Sequence, residues 1–250
     1  MNFVLPRITV IFTNFILERL FEILSRIHKF KATRLNVLKA RQFVVFPYIC
    51  INSKSFKLYS QINQSISRYV SFSKEELDIF NSLLEYKKVP KKTIMLHEGE
   101  MCNFEAFVIK GCVRKYYIDT NGFEVILQFA IENAWLSDIS FSIYETQPSQ
   151  VFIETLEDCE FFTFTPESKE DLFEKAPRFE RAYRILMQRN LAVTQNRLFH
   201  NISQTATEKY LEFLELYPTI PQRVAQHYIA SYLGISAEFL SKVRTKLAKQ

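Results

Sequence analysis

The side chains best placed to do chemistry lie near the C-terminus, where Lys242, Arg244, Lys246 and Lys249 follow one another with Glu238 as the single acid among them. Cations gathered on one short segment address an anion, and nucleic-acid phosphate is the first partner to consider. The preceding residues supply the frame. Residues 224–248 read VAQHYIASYLGISAEFLSKVRTKLA, which predicts a helix bearing Ile229 and Ala230, a tight turn at Gly234 and a second helix from Ser236. Ala230 is small where the second helix crosses, Gly234 takes a turn conformation that a Cβ opposes, and Leu233, Ile235, Leu240 and Val243 make the shared core. Ser236 suits the N-cap. This is the helix-turn-helix pattern, and it places Ser236, Ala237, Glu238, Ser241, Lys242, Arg244, Thr245 and Lys246 at the element that enters a DNA major groove. An ordinary αα-hairpin is the alternative, disfavoured because small residue, glycine and apolar positions all coincide.

Other chemistries have no visible constellation. Cys50, Cys102, Cys112 and Cys159 show no CxxC or CxxxH spacing, so they read as reduced core thiols of a cytoplasmic protein rather than as zinc or cluster ligands. His28, His97, His200 and His227 are scattered singly, which argues against a metalloenzyme. The nucleophile-elbow, zincin, P-loop and dinucleotide motifs are all missing from a chain with only four glycines. The expectation is a protein that is not an enzyme, with no catalytic residue, no metal and no cofactor.

Charge divides the 250 residues into three parts. Residues 1–57 carry ten Lys/Arg against two Asp/Glu, residues 58–176 carry 11 against 20, and residues 177–250 carry 11 against five. An acidic middle between basic ends implies separate partners for separate segments. The apolar N-terminal run is broken by Pro6, Arg7, Glu18, Arg19 and Glu22, too often for an integral membrane span, and it lacks the layout of a signal peptide. It reads as a surface-seeking amphipathic helix, as an extension packed on the body, or, the reading favoured here, as upstream sequence outside the functional product.

The rest is more regular. Ser73-Lys-Glu-Glu76 is a capping box opening a helix that carries Leu77, Phe80, Leu83 and Leu84 up to Pro90. Short β-rich runs follow at 104–109, 112–118, 124–129, 151–156 and 161–165, punctuated by Gly99, Gly111 and Asn121-Gly122. Strands at that cadence predict a sandwich or a closed roll. A long helix after Pro177 repeats Phe179, Leu186 and Val193 every seven residues, with Tyr183, Asn190 and Arg197 on the next row. That seam suits pairing with a second copy, Asn190 setting the register, and packing on its own domain is the alternative. Thr205-x-x-Glu208 caps one more helix that ends at Pro218.

This order resembles the Crp/Fnr regulators of bacteria, in the version common among Bacteroidetes, over residues 61–250. The resemblance is most specific in Ala206-Thr-Glu-Lys-Tyr-Leu-Glu-Phe-Leu-Glu-Leu-Tyr-Pro218 and in Arg223 through Arg244. It implies an α+β fold: a basic extension (1–60), an antiparallel β-roll or jelly-roll sensor (61–168), a dimerisation helix (169–201) and a helix-turn-helix domain (202–250), winged-helix-like with a short or missing wing. The implied partners are double-stranded DNA, a second copy, RNA polymerase and a small-molecule effector.

Two departures qualify it. Family members that bind cyclic AMP hold its phosphate with a Gly-Glu and an Arg followed by a small residue, whereas the matching stretch 135–150 has neither glycine nor arginine and reads Pro148-Ser149 at the second place. Cyclic AMP is therefore not expected, and Trp135, Ser137, Asp138, Ser149 and Gln150 either line a pocket for another effector or cap a closed roll. The recognition helix offers Ala237, Glu238 and Lys242 where the cyclic-AMP-responsive members place an Arg-Glu pair and a later Arg, so a different operator is expected. The alternative function is a sensor dimer with degenerate DNA contact that signals through a protein partner. A cupin-like enzyme needs several His/Glu ligands, and the roll offers only His97.

Overall fold

Strands such as Ala106-Phe-Val108 and Phe161-Phe-Thr-Phe164 are apolar at consecutive positions, so both of their faces must be covered. The computed structural model describes residues 58–138 and 147–249 and shows what covers them. Eight strands, β1 (Glu85–Val89), β2 (Ile94–Leu96), β3 (Glu105–Lys110), β4 (Val113–Ile118), β5 (Glu124–Ala130), β6 (Trp135–Leu136), β7 (Phe152–Thr155) and β8 (Cys159–Phe164), form two antiparallel sheets. Their orders are β1-β8-β3-β6 and β2-β7-β4-β5, the β-roll expected from the cadence of turns. Leu96, Val108, Val113, Ile153 and Phe161 fill the inside of the roll.

Successive strand residues point to opposite faces, so each sheet also presents an outer face. Phe107, Phe162 and Phe164 leave the first sheet and meet helices over 58–67 (α1), Lys74–Ser82 (α2) and Pro166–Lys175 (α3), together with the start of the long helix α4 (Arg178–Ser203). Tyr116, Ile126 and Phe129 leave the second sheet and meet the C-terminal helices α5 (Ala206–Leu216), α6 (Ile220–Arg223), α7 (Gln226–Leu233) and α8 (Ala237–Leu247). No helix among the described residues is long and apolar enough to cross a membrane. The N-terminal expectations for residues 1–57, with Cys50 and His28, fall outside the described residues.

Local pattern and structure part ways in two elements. The helix opened by Ser73 has both bonds of its capping box but stops at Ser82, well before Pro90. Residues 85–89 instead form β1, paired with β8 from Glu85↔Thr163 to Val89↔Cys159, because the ladder satisfies backbone groups along a covered sheet. The second departure is the seam of α4. Phe179 and Leu186 are buried, and Tyr183 donates to Glu105 at 3.1 Å, so these three face their own domain and cannot meet a second copy. Asn190 is exposed, and Val193, 57% exposed, stands beside the C-terminal helices. The helix reaches its own core because α3 turns the chain back over the first sheet. A different stripe is open: Leu191, Leu198 and Ile202, spaced seven and four apart, are 59, 63 and 80% exposed.

The C-terminal helices are fastened to the roll by polar contacts as well as by the apolar cluster. Arg223 donates Nε and Nη2 to Glu157 at 2.9 and 2.7 Å, and Nη1 and Nη2 to Glu132 at 2.8 and 2.9 Å. Ser231 of α7 donates to the Glu124 carbonyl at 2.7 Å and accepts the Ile126 N–H at 3.0 Å, closing the free edge of β5. Arg197 donates to the carbonyls of Leu127, Ile126 and Tyr232 and lies over the Tyr232 ring. Arg114 of β4 is held between the rings of Tyr116 and Tyr228, at 4.0 and 4.2 Å, and pairs with Glu124 and Glu154.

Gly111, between β3 and β4, has φ +107°, and a Cβ there would meet the Cys159 Sγ, its Cα at 3.0 Å and the Asp158 carbonyl at 3.1 Å. Gly111→Ala is expected to cost about 2–4 kcal/mol of unfolding free energy in urea titration, whereas Gly122→Ala, strained but in open space, costs about 1 kcal/mol. For the Arg223 clamp, burial alone would raise the Glu132 pKa, but the guanidinium and the Gly111 N–H outweigh it and hold the carboxyl below its ordinary 4.5. A carboxylate so lowered stabilises the fold above its ordinary pKa and loses that contribution as pH falls through its folded value. Arg223→Met is expected to lose about 1–2 kcal/mol at neutral pH, discounted for partial exposure, and a gap from wild type that fails to narrow toward about pH 3 would count against the clamp.

Candidate nucleic-acid interface and effector core

The C-terminal corner is built as its residue types dictate. Ala225 precedes α7, which ends at Gly234 in the left-handed conformation, φ +67° and ψ +34°, and the Ile235 N–H returns to the Ala230 carbonyl at 3.0 Å. Ser236 then caps α8 by accepting the Phe239 N–H at 3.1 Å. Ile229, Ala230, Leu233, Leu240 and Val243 are buried together, with Ile235 and Leu247 packed against them, which is the shared core read from the sequence.

Burial of Leu240 and Val243 turns the opposite side of α8 outward. Ser236, Ala237, Glu238, Ser241, Lys242, Thr245 and Lys246 are all exposed, and Arg244 is half-buried on the flank. At 100° per residue, Glu238, Ser241, Lys242 and Thr245 share the outermost face of α8. Lys246 and Arg244 stand to either side of it. The sequence reading missed Phe239, which is 49% exposed at the N-terminal turn beside Glu238. An exposed aromatic within a helix otherwise ordered by burial was the available signal.

The five proposed effector residues do not form one site. Ser137, Asp138 and Ser149 come together at one end of the roll interior. Ser149 Oγ donates to Asp138 Oδ2 at 2.6 Å and accepts the Val151 N–H at 3.1 Å. Ser137 Oγ donates to the Phe104 carbonyl at 3.0 Å and lies 3.7 Å from the Cys102 thiol. Trp135 is turned the other way, onto Phe107 and Phe164 under the helices, because Leu136 takes the inward position on that short strand. Its indole N–H is buried without an acceptor beside a cavity of about 20 Å³, room for one water. Gln150 is exposed, and residues 139–146 between the two halves of this stretch lie outside the described residues.

A lysine joins the cluster that sequence reading passed over. Lys115 sits on β4 between Arg114 and Tyr116, so its side chain takes the inward face, and Nζ donates to the Ser137 carbonyl at 3.2 Å. Burial lowers its pKa, and the charge of Asp138 pulls it partly back. The buried thiols are quiet by comparison: burial pushes Cys112 up to about 12 and Cys159 up to about 11, which leaves little thiolate at neutral pH. Among the described residues no group of three or more His, Cys, Asp or Glu gathers as it would around a metal.

Residues 86–176 match the cyclic nucleotide-binding domain family. No curated protein sequence matches the chain. Among solved structures, the c-di-GMP-responsive global regulator CLP of Xanthomonas campestris is 19% identical with a TM-score of 0.58, covering 71% of this chain and 92% of its own. FixK2 of Bradyrhizobium japonicum is 18% identical with a TM-score of 0.57, covering 67% and 85%. A CooA variant of Carboxydothermus hydrogenoformans is 17% identical with a TM-score of 0.54, covering 67% and 78%. Such identities speak for the fold. Residues 86–176 are therefore similar to a cyclic nucleotide-binding domain, and the chain shares its fold with the CLP and FixK2 structures.

Proposed function

We propose that the chain is a homodimeric, sequence-specific DNA-binding transcription regulator whose β-roll senses a small molecule other than cyclic AMP. The observation that carries this reading is α8: a helix anchored by Leu240 and Val243, with Glu238, Ser241, Lys242 and Thr245 facing out and cations on its flanks. Lys242 donates to guanine or to a phosphate, Glu238 accepts from a cytosine amino group, and Lys246 and Arg244 hold the backbone. RNA polymerase and a cytoplasmic location follow from the same reading.

Pairing of two copies uses the open stripe of α4. Leu191, Leu198 and Ile202 lie on one side of the helix, about 160° from Val193 and about 120° from Arg197, which line the side toward the C-terminal domain. One face can therefore bind a second copy while the other holds the DNA-reading unit. Two such units around a two-fold axis would meet half-sites about 34 Å apart.

The second reading, a sensor dimer that signals through a protein partner, draws on Ala237 in the place of a base-reading arginine and on the half-exposed Phe239 beside it. Sequences selected from a random DNA pool by the purified protein should share a two-fold symmetric motif, and equal affinity for selected and random DNA across a salt series would sink the first reading. Lys242→Glu with Arg244→Glu should weaken binding to the selected site by about a hundredfold or more while sedimentation still reports a dimer. Leu198→Asp should do the reverse, giving monomers with folded secondary structure.

A further inference from the structure

We infer that Lys115 is the recognition group of the β-roll and that its ligand is a small anion carrying a carboxylate or phosphate group. This deepens the sensor reading above and rests on it. Replacing the roll's interior charge with a hydrocarbon would be the cheaper way to fill a core, and the neighbouring inward positions do so with Val113, Ile153 and Leu136. Lys115 departs from them. An ammonium has three N–H donors, and among the described residues Lys115 uses one, on a neutral carbonyl, that of Ser137.

The nearby carboxylate is committed elsewhere. Asp138 is 3% exposed and accepts the Ser149 hydroxyl at 2.6 Å, without coming within ion-pair distance of Lys115. The cation is thus half-buried, compensated at a distance and, among the described residues, short of acceptors, the state in which a bound anion gains charge-assisted hydrogen bonds without first displacing a tight partner. The sequence argument against an anionic ligand was that stretch 135–150 has no arginine, and the fold supplies the missing cation from β4. The position also has a route outward, since its neighbour Arg114 leaves the opposite face of β4 and lies over the rings of Tyr116 and of Tyr228 in α7.

The test uses the full chain as wild type, Lys115→Met, Lys115→Arg and Lys115→Gln. Thermal unfolding and titration calorimetry are run with sodium phosphate, sodium succinate and cyclic AMP against sodium chloride of equal ionic strength. Wild type and Lys115→Arg are expected to bind at least one of the three anions at least tenfold more tightly than Lys115→Met and Lys115→Gln. Phosphate, succinate and cyclic AMP stand for an inorganic, a carboxylate and a cyclic-phosphate source, so the pattern of response identifies the class. Equal responses in wild type and the neutral variants, or no binding of any probe by wild type, overturn the inference. DNA selection with the same proteins separates the two claims, because loss of sequence preference in wild type would remove the regulator reading whatever the anion titrations show.

Discussion

The outer face of the second sheet has to be covered, and most of the molecule's arrangement depends on what covers it. Tyr116, Ile126, Phe129 and Phe152 form an apolar, largely aromatic floor on that sheet. No helix of the sensor part reaches it, since α1 to α3 and the first turns of α4 are committed to Phe107, Phe162 and Phe164 on the other sheet. The C-terminal helices therefore settle on the floor, with Phe129 meeting Phe213, Tyr217 and Tyr232. Hydrophobic contact is not directional, and the directional part comes from Arg223 and Ser231, which have partners at fixed places on the roll, and from Arg197 and Arg114, which meet Tyr232 and Tyr228 of α7.

Two elements acquire two roles from this docking. Strand β4 faces the roll interior with Val113 and Lys115 and meets α7 through Arg114 and Tyr116, so interior and helix-turn-helix share one strand. Helix α4 serves its own core with Phe179, Ala182 and Leu186, then leaves the roll, where one face carries Leu191, Leu198 and Ile202 and the other lies along the C-terminal domain. A change at either element touches both the roll and the C-terminal helices.

Much of this was legible from residues. The helix-turn-helix was readable because its determinants are local: a small residue, a positive-φ glycine and a cap within a dozen positions, all found in their expected roles. The strands were readable from β-rich runs separated by turn chemistry. The end of α2 was not, because Leu83 and Leu84 continue a helical period that only pairing of Glu85–Val89 with β8 overrules. The heptad of Phe179 and Leu186 was likewise a true periodicity that met the second of the two partners it allowed, its own domain, since a period tells which residues share a face and not what that face meets.

What the chain's own residues decide is the list of parts: a capped helix, a roll of short strands with glycines where φ is positive, a long helix and a helix-turn-helix corner with its cations outward. These follow from local sterics and hydrogen bonding, which are written in neighbouring residues. Three matters rest on folding in space: Trp135 turned away from Ser149, Lys115 brought beside Asp138, and Arg223 seated between Glu132 and Glu157. Each depends on which strand face is inward and which sheet lies opposite, and contacts between residues 20 to 90 apart leave no periodic trace along the chain.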